Sequence, residues 1–278
     1  MQGGTRVAEV PEVEVAVQDL RASVVGRVIE RAEVLAPSVL RFGTPEEFAR
    51  TIMGRRVEGV RRRAKWVLMA LEGDYTLAIH FMLFGYLRLV PDGSPRAAHT
   101  MLVLFLGGDG DEELCLLDRL GYARVALAPT AELDARLGLA TLGPEVLAGN
   151  FAPETLEDRL RRKRIPIKPA LLDQHVVAGL GNRDADESLW RAGIGPQRPA
   201  GTLSHDEAER LTRAMRDVLH EGIARRGSMR DLRGRRGESL RHLDVFEREG
   251  EPCPRCGGVV TRIRQNGRNT FYCPACQQ

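Results

Sequence analysis

The chain has 278 residues, 43% of them apolar and 28% charged, and its 41 basic and 38 acidic side chains leave a net charge of +3. That length suits about two domains around ordinary buried cores, and no apolar run approaches the length of a membrane span. The first residues lack the apolar stretch of a secretory signal, and the five cysteines, four of them in C-x-x-C pairs, suit a reducing cytoplasm and a metal better than disulfides.

From Val7 to Leu147 the pattern is strand-rich after one leading helix. In PEVEVAVQDLRASVVG, Val13, Val17, Leu20 and Val24 recur at helical spacing, and Gly26 fits a stop. Six apolar runs follow: VGRVIERAEVL, RRVEGVRRRAKWVLMAL, YTLAIHFM, GYLRLV, HTMLVLFL and ELCLLD. Turns such as EGD, PDGSP and GGDGDEE separate them, which predicts a β-sandwich or barrel. Cys115, inside ELCLLD, reads as a small buried hydrophobe.

Near Pro144 the character changes. APETLEDRLRRK, IKPALLDQHVV, ADESLWRAG and SHDEAERLTRAMRDVLHEGIARR read as helices, the last opened by a capping-box spacing of Ser204 and Glu207. Residues 226–250 are Gly- and Arg-rich and read as loop. The expected divisions are therefore 1–147, 148–226, a linker at 227–248, and a terminal module at 249–278.

That module carries Cys253, Cys256, Cys273 and Cys276 as two C-x-x-C turns. Four thiolates close a tetrahedral shell around zinc and leave no position for a substrate water, so the ion builds structure. Between the pairs, VVTRIRQ and TFYC flank Asn266-Gly267, a hairpin-turn pair. Arg268 sits at the hairpin tip near Arg262 and Arg264, either as a phosphate contact or as a solvated turn. Basic clusters at 55–65, 159–168 and 225–241 join it in pointing to a polyanionic partner.

In order along the chain, EVPEVEV (9–15), RRRAKWVL (61–68), IKPALLD (167–173), GLGNRDADESLWRAGI (179–194) and GEPCPRCGG…GRNTFYCPACQ (250–277) resemble the formamidopyrimidine-DNA glycosylase / endonuclease VIII family. The resemblance implies an α+β multidomain fold: an N-terminal β-sandwich with a leading helix, a helix–two-turns–helix domain, and a C-terminal β-hairpin zinc finger. It also implies a monomer acting on damaged or abasic double-stranded DNA in the cytoplasm, beside the nucleoid, with one structural zinc. Such enzymes flip a damaged base and cut its glycosidic bond through an amine nucleophile at the chain's start. Carried over, Ala8 stands at the nucleophile position and Glu9 at the acid/base glutamate. Lys65 matches the cleft lysine, Lys163 and Lys168 basic DNA contacts, Asn182 a phosphate-binding asparagine and Arg268 the finger's arginine.

Several positions depart from the family pattern. Ala8 replaces a proline and follows seven residues, so a chain starting at Met1 offers an amide there; a start at position 7 with loss of that residue would free the amine. Leu83 stands at a wedge methionine, Leu120 at an arginine with Arg119 one residue away, and Tyr122 at a phenylalanine. Asp184 replaces a tyrosine and brings negative charge toward a phosphate-facing segment. The expected activity is therefore that of a base-excision glycosylase and AP lyase. The alternatives are a paralogue that binds damaged DNA without cutting, and a scaffold reused for RNA or protein.

Overall fold

Alternation of inward and outward side chains builds eight strands in the first half of the chain; the computed structural model describes residues 7–108 and 110–278. The chain divides into two units, the first running to Ala140 and taking back Arg226–Glu238, the second comprising Thr141–Arg225 and Ser239–Gln278.

In the first unit, helix α1 (Val10–Val24) buries the predicted stripe of Val13, Val17, Leu20 and Val24, and Gly26 follows in the left-handed region at φ +89°. The strands form two antiparallel sheets. One has the order β1 (Val28–Val34), β6 (Thr100–Gly107), β7 (Glu112–Leu117), β5 (Tyr86–Pro91); the other has β2 (Val57–Arg63), β3 (Trp66–Leu71), β4 (Tyr75–His80), β8 (Arg124–Pro129), and α1 packs on its β2 and β3. Ile29, Leu77, Leu102, Leu104 and Leu116 are among the residues of the sheets' shared core, so the leading helix and sandwich expected from the pattern are both present. On the outer face of β6 and β7, Val103, Phe105, Cys115 and Leu117 form a smaller cluster, and Arg31 stacks 3.5 Å from the Phe105 ring centroid. Burial pushes the Cys115 thiol up to about 11, and Glu113 adds to the shift, so it stays protonated.

The run RRVEGVRRRAKWVLMAL proves to be two strands, broken where Ala64 takes φ +50° in a tight β2–β3 turn. Strand β8 lies outside the six predicted runs because alanines interrupt its apolar alternation. Helices α2 (Pro45–Ile52) and α3 (Thr130–Leu137) were also not anticipated. Each has only eight residues, and α2 buries only Phe48 and Ile52, too few to display a period.

Residues 226–238 form no strand or helix, yet they are anchored. Leu232 is buried and its carbonyl accepts from Leu89 N at 2.9 Å, while Arg226 pairs with Asp19 at 2.6 Å. Gly237 is required there: a Cβ would lie 2.2 Å from the Gly227 carbonyl oxygen.

The second unit contains α4 (Pro153–Leu160), α5 (Ile167–Leu172), α6 (Asn182–Ala192) and α7 (His205–Ala224), then the hairpin β9 (Thr261–Gln265) and β10 (Arg268–Tyr272). The Ser204–Glu207 capping box is formed at the start of α7. Helix α5 stops at Leu172, where the pattern predicted continuation through Val177, because Asp173 turns its carboxylate onto the His175 N–H at 3.0 Å. No helix among the described residues is long and apolar enough to cross a membrane.

Candidate functional site

The start of α1 concentrates acid beside the chain's first described residues. Ala8 and Glu9 are both 2% exposed. Glu9 caps the helix and donates its N–H to Glu12 Oε2 at 2.8 Å, while Pro11 sits in the first turn, where a missing N–H costs nothing. Glu12 Oε1 accepts both the N–H and the hydroxyl of Ser228 at 2.7 Å, tying residues 226–238 to this helix. Sequence reasoning missed Glu12, although its position three residues after Glu9 is a capping-box spacing. Residues 1–6, on which the expected start of the mature chain bears, lie outside the described residues.

Arg62 bonds Glu14 at 2.8 Å and Arg21 bonds the Val60 carbonyl at 2.7 Å, which docks α1 on β2. The β2–β3 turn beyond carries Lys65. Only three of the 41 basic residues are lysines, at 65, 163 and 168. This matters chemically, because an arginine does not shed its proton to become an amine nucleophile. Opposite Trp66, His80 accepts the Met82 N–H on Nδ1 at 2.9 Å. Burial, helped by the Lys65 charge, lowers its pKa to about 4 and keeps it neutral.

In the second unit the structure gathers the remaining predicted residues around α5 and the hairpin. Lys163 pairs with Asp173 at 3.1 Å. Asn182, at the first position of α6, donates Nδ2 to the Asn269 carbonyl at 3.1 Å. Asn266 and Gly267 take φ +46° and +77°, the left-handed pair of a tight hairpin turn, and leave Arg268 exposed beyond it. Arg262 is paired with Glu249 at 3.0 Å. An open cleft of about 220 Å³ is lined by Lys168, Asp173, Gln265 and Arg268 among others.

Two expectations are corrected. Lys168 was expected to touch DNA, but it is 1% exposed and its Nζ lies 2.7 Å from Asp186, 2.8 Å from the Asn269 carbonyl and 2.9 Å from Thr270 Oγ1. It joins α5 to the hairpin. Asp184 was expected to bring negative charge toward phosphate, but it is 1% exposed and neutralised by Arg183 Nε at 3.1 Å. The pattern also gave no hint of the carboxylates that follow on α6. Glu187 accepts the N–H groups of Asp244, Val245 and Phe246 at 2.8–2.9 Å, and Asp186 accepts that of Phe271 at 3.0 Å. Burial raises the pKa of Glu187, and raises that of Asp186 to about 7 against the pull of Lys168.

The four cysteine sulfurs lie within 4.8 Å of one another, with Cys253–Cys276 at 3.8 Å and Cys256–Cys273 at 3.6 Å. Zinc–sulfur bonds of about 2.3 Å at tetrahedral corners set sulfurs roughly 3.8 Å apart, whereas a disulfide would bring them to about 2 Å. The residues fit one structural zinc. Trp190 Nε1 donates to Cys253 Sγ at 3.4 Å, and Gly258 N to Cys256 Sγ at 3.4 Å, orienting the thiolates.

Comparison with known proteins agrees with this arrangement. The pattern of the formamidopyrimidine-DNA glycosylase N-terminal domain matches residues 7–125, that of the formamidopyrimidine-DNA glycosylase H2TH domain residues 142–233, and that of the zinc finger found in FPG and IleRS residues 250–278. The chain is 42% identical to the formamidopyrimidine-DNA glycosylase of Chloroflexus aurantiacus over 97% of both proteins, and 43% identical to that of Moorella thermoacetica over 92% of this chain and 94% of that one. The Lactococcus lactis Fpg, solved in complex with DNA containing an abasic site, superposes with a TM-score of 0.90 at 31% identity, covering 98% of this chain and all of that one. A mutant of the same enzyme, solved with Fapy-dG-containing DNA, superposes equally well. By sequence and by fold, the chain belongs to the formamidopyrimidine-DNA glycosylase family.

Proposed function

We infer that this chain is a base-excision DNA glycosylase and AP lyase, acting on duplex DNA that carries formamidopyrimidine-type or abasic lesions. One observation carries the reading: Ala8 and Glu9 enter α1 where the family's N-terminal domain begins, its match opening at residue 7. In the proposed chemistry the α-amine of Ala8, freed by a start at position 7 and loss of that residue, attacks C1′ of the deoxyribose. The glycosidic electron pair leaves with the base, and Glu9 manages the protons of sugar and leaving group. The C1′–O4′ bond then opens, its oxygen taking a proton from Glu9, and the resulting iminium acidifies C2′, whose proton is lost as the 3′ phosphate departs by β-elimination. A terminal α-amine titrates near ~8, so a usable fraction is unprotonated at neutral pH.

Lys65 is the second amine. With Lys168 buried in its ion pair and Lys163 engaged by Asp173, it is the lysine best able to approach a sugar or phosphate. The DNA backbone is held by Lys65, Lys163, Asn182 at the start of α6, and Arg268 at the hairpin tip, with helix N–H groups contributing at α6. Lys168 acts by positioning the hairpin.

Borohydride reduction during incubation with abasic duplex tests this. A chain beginning at Ala8 should yield a covalent adduct mapping to its first residue, and a Glu9→Gln form should slow base excision strongly. A second reading, binding without cutting, is favoured by the burial of Ala8, which is 2% exposed. It would be established by abasic-DNA binding with no adduct from either form, and an adduct at Lys65 would move the nucleophile there.

A further inference from the structure

Residues 226–238 carry five arginines against Asp231 and Glu238, a net charge of +3 in thirteen residues, which equals that of the whole chain. Three of the five are neutralised nearby. Asp231 Oδ2 lies 2.9 Å from both Arg226 Nη2 and Arg235 Nε, and Arg233 pairs with Glu112. Asp231 Oδ1 accepts the N–H groups of Arg233 and Arg235 at 2.9–3.0 Å, so the same acid folds the turn. The other two arginines stand opposite each other. Arg230 and Arg236 face across an antiparallel bridge, where paired side chains share one side, about 4.5–5.5 Å apart at Cβ, and like charges repel. Both are exposed, and among the described residues no carboxylate pairs with either.

A third guanidinium reaches the same turn. Arg88 on β5 alternates with Leu87 and Leu89, which enter the sandwich core, and so lies on the outer face. Its side chain makes no ion pair or hydrogen bond to another described residue, although its Nε is fully buried. A buried donor without an acceptor is costly. Gly234 leaves room for this group: it takes φ +87°, and a Cβ there would stand 2.8 Å from Arg88 Cζ. Arg230 Nη1 donates to the Gly234 carbonyl at 2.7 Å. Arg88 and Arg230 therefore meet at one glycine, with Arg236 opposite Arg230.

Three guanidinium groups held together without a carboxylate repel one another, and an anion that accepts from all three removes that cost. A carboxylate or a phosphodiester offers two free oxygens and a single charge. A phosphate monoester offers three oxygens and close to two negative charges at neutral pH, which suits three planar donor forks. We propose that Arg88, Arg230 and Arg236 form a binding site for a phosphate monoester or free phosphate dianion. Two sources share that chemistry, inorganic phosphate and the phosphate at a DNA strand end. The lyase step proposed above creates the second, because the departing 3′ phosphate becomes the 5′ terminus of the downstream strand. Only the strand-end source rests on the glycosylase reading.

Two titrations at constant ionic strength test the site, one with inorganic phosphate and one with gapped duplexes that carry a 5′ phosphate or a 5′ hydroxyl at the gap. Arg230→Gln and Arg236→Gln should each weaken phosphate binding about tenfold, and Arg88→Lys, which keeps the charge and loses the fork, should do the same. Arg213→Gln, on an exposed arginine of the second unit, should change nothing. If strand ends are the source, the 5′-phosphorylated duplex should bind about tenfold tighter than its partner, and Arg236→Gln should erase the difference. If the free anion is the source, the two duplexes should bind alike while phosphate still binds. In phosphate-free buffer Arg236→Gln should melt no lower than the wild type, since one of two opposed charges is gone. Absence of phosphate binding together with equal affinity for the two duplexes overturns the proposal. So does an affinity unchanged in all three variants, or an equal loss in Arg213→Gln. A failure of base excision would sink the glycosylase reading and leave these binding results standing.

Discussion

Helices α1 and α6 solve the same problem in the two units, and they differ in what lies beneath them. Each holds a segment distant in sequence by offering buried carboxylate oxygens to backbone N–H groups. Glu12 on α1 takes Ser228, Asp186 on α6 takes Phe271, and Glu187 takes three successive N–H groups at 244–246. Helix α1 does this on top of an eight-strand apolar core. Helix α6 meets the finger through a small cluster of Trp190, Val245, Val260 and Phe271 with the cysteines. The held segment in the first unit should therefore be a local feature on a stable base, whereas in the second unit the acids and the metal are the base.

The most severe way to break the comparison is to remove zinc. Metal binding contributes about 10–16 kcal/mol of apparent folding free energy in small finger modules. A strong chelator should abolish hydrogen-exchange protection in β9 and β10 and leave β3, β4 and β6 protected. Retained protection in the hairpin without metal would mean the apolar cluster suffices, and the two units would be alike.

Next in size is Glu187→Leu. The substitution leaves the buried Val245 N–H and the part-buried N–H groups of Asp244 and Phe246 without this acceptor, at about 1–3 kcal/mol for the buried one and less for the other two, so denaturant unfolding of the second unit should move by roughly 2–4 kcal/mol. The first unit should not respond. A change below about 1 kcal/mol would show that residues 244–246 find other partners, and that the acid is dispensable.

These acids also mark the limit of what the amino-acid pattern disclosed. The leading helix was visible because Val13, Val17, Leu20 and Val24 follow a 3.6-residue period. The zinc site was visible because two C-x-x-C turns admit few other uses. Asp186 and Glu187 resembled any surface acid on an amphipathic helix, since the backbone N–H groups they hold lie 57 to 85 residues away and no local period records them; Glu12 had a local signal in its spacing from Glu9, but none for Ser228, 216 residues away. Lys168 was misassigned for the same reason: a lysine in a basic run reads as solvated, and only the fold reveals Asp186 beneath it. Glu9 and Arg268 were assigned through ordered motifs, and the structure sets Glu9 at the start of α1 and leaves Arg268 exposed beyond the hairpin turn.

Acid offers a graded version of the contrast. In the first unit His80 has its pKa depressed from 6.5 to about 4, so the unfolded chain binds more protons than the folded one between those values. Its contribution, about 2–3 kcal/mol after allowance for partial exposure, is complete above pH 6.5 and lost as pH falls toward 4. In the second unit Asp186 is shifted the other way, to about 7 by burial, so lowering pH from 7 toward 4 relieves a buried charge and favours the folded state. Between pH 7 and 5.5, exchange corrected for its intrinsic rate should therefore quicken in β4 and not in α6. Equal quickening in both would remove the distinction.

The smallest effect tests the first unit's clamp alone. Ser228→Ala removes the hydroxyl bond to Glu12 and keeps the backbone N–H on the same oxygen, so the cost should be about 1 kcal/mol. Because the sandwich core does not depend on this contact, the loss should appear as faster exchange confined to residues 226–238, with the midpoint of global unfolding almost unmoved. Its functional readout is sharper than its energy. Glu12 also accepts the Glu9 N–H, so loosening Ser228 should slow base excision more than abasic-DNA binding, by a mobile Glu9 rather than a lost contact. If excision and binding fall together, the clamp supports the DNA surface and not the glutamate proposed to handle the protons. If global stability falls by several kcal/mol, the place of Leu232 in the sandwich core depends on this clamp, and the two helices have equivalent structural roles.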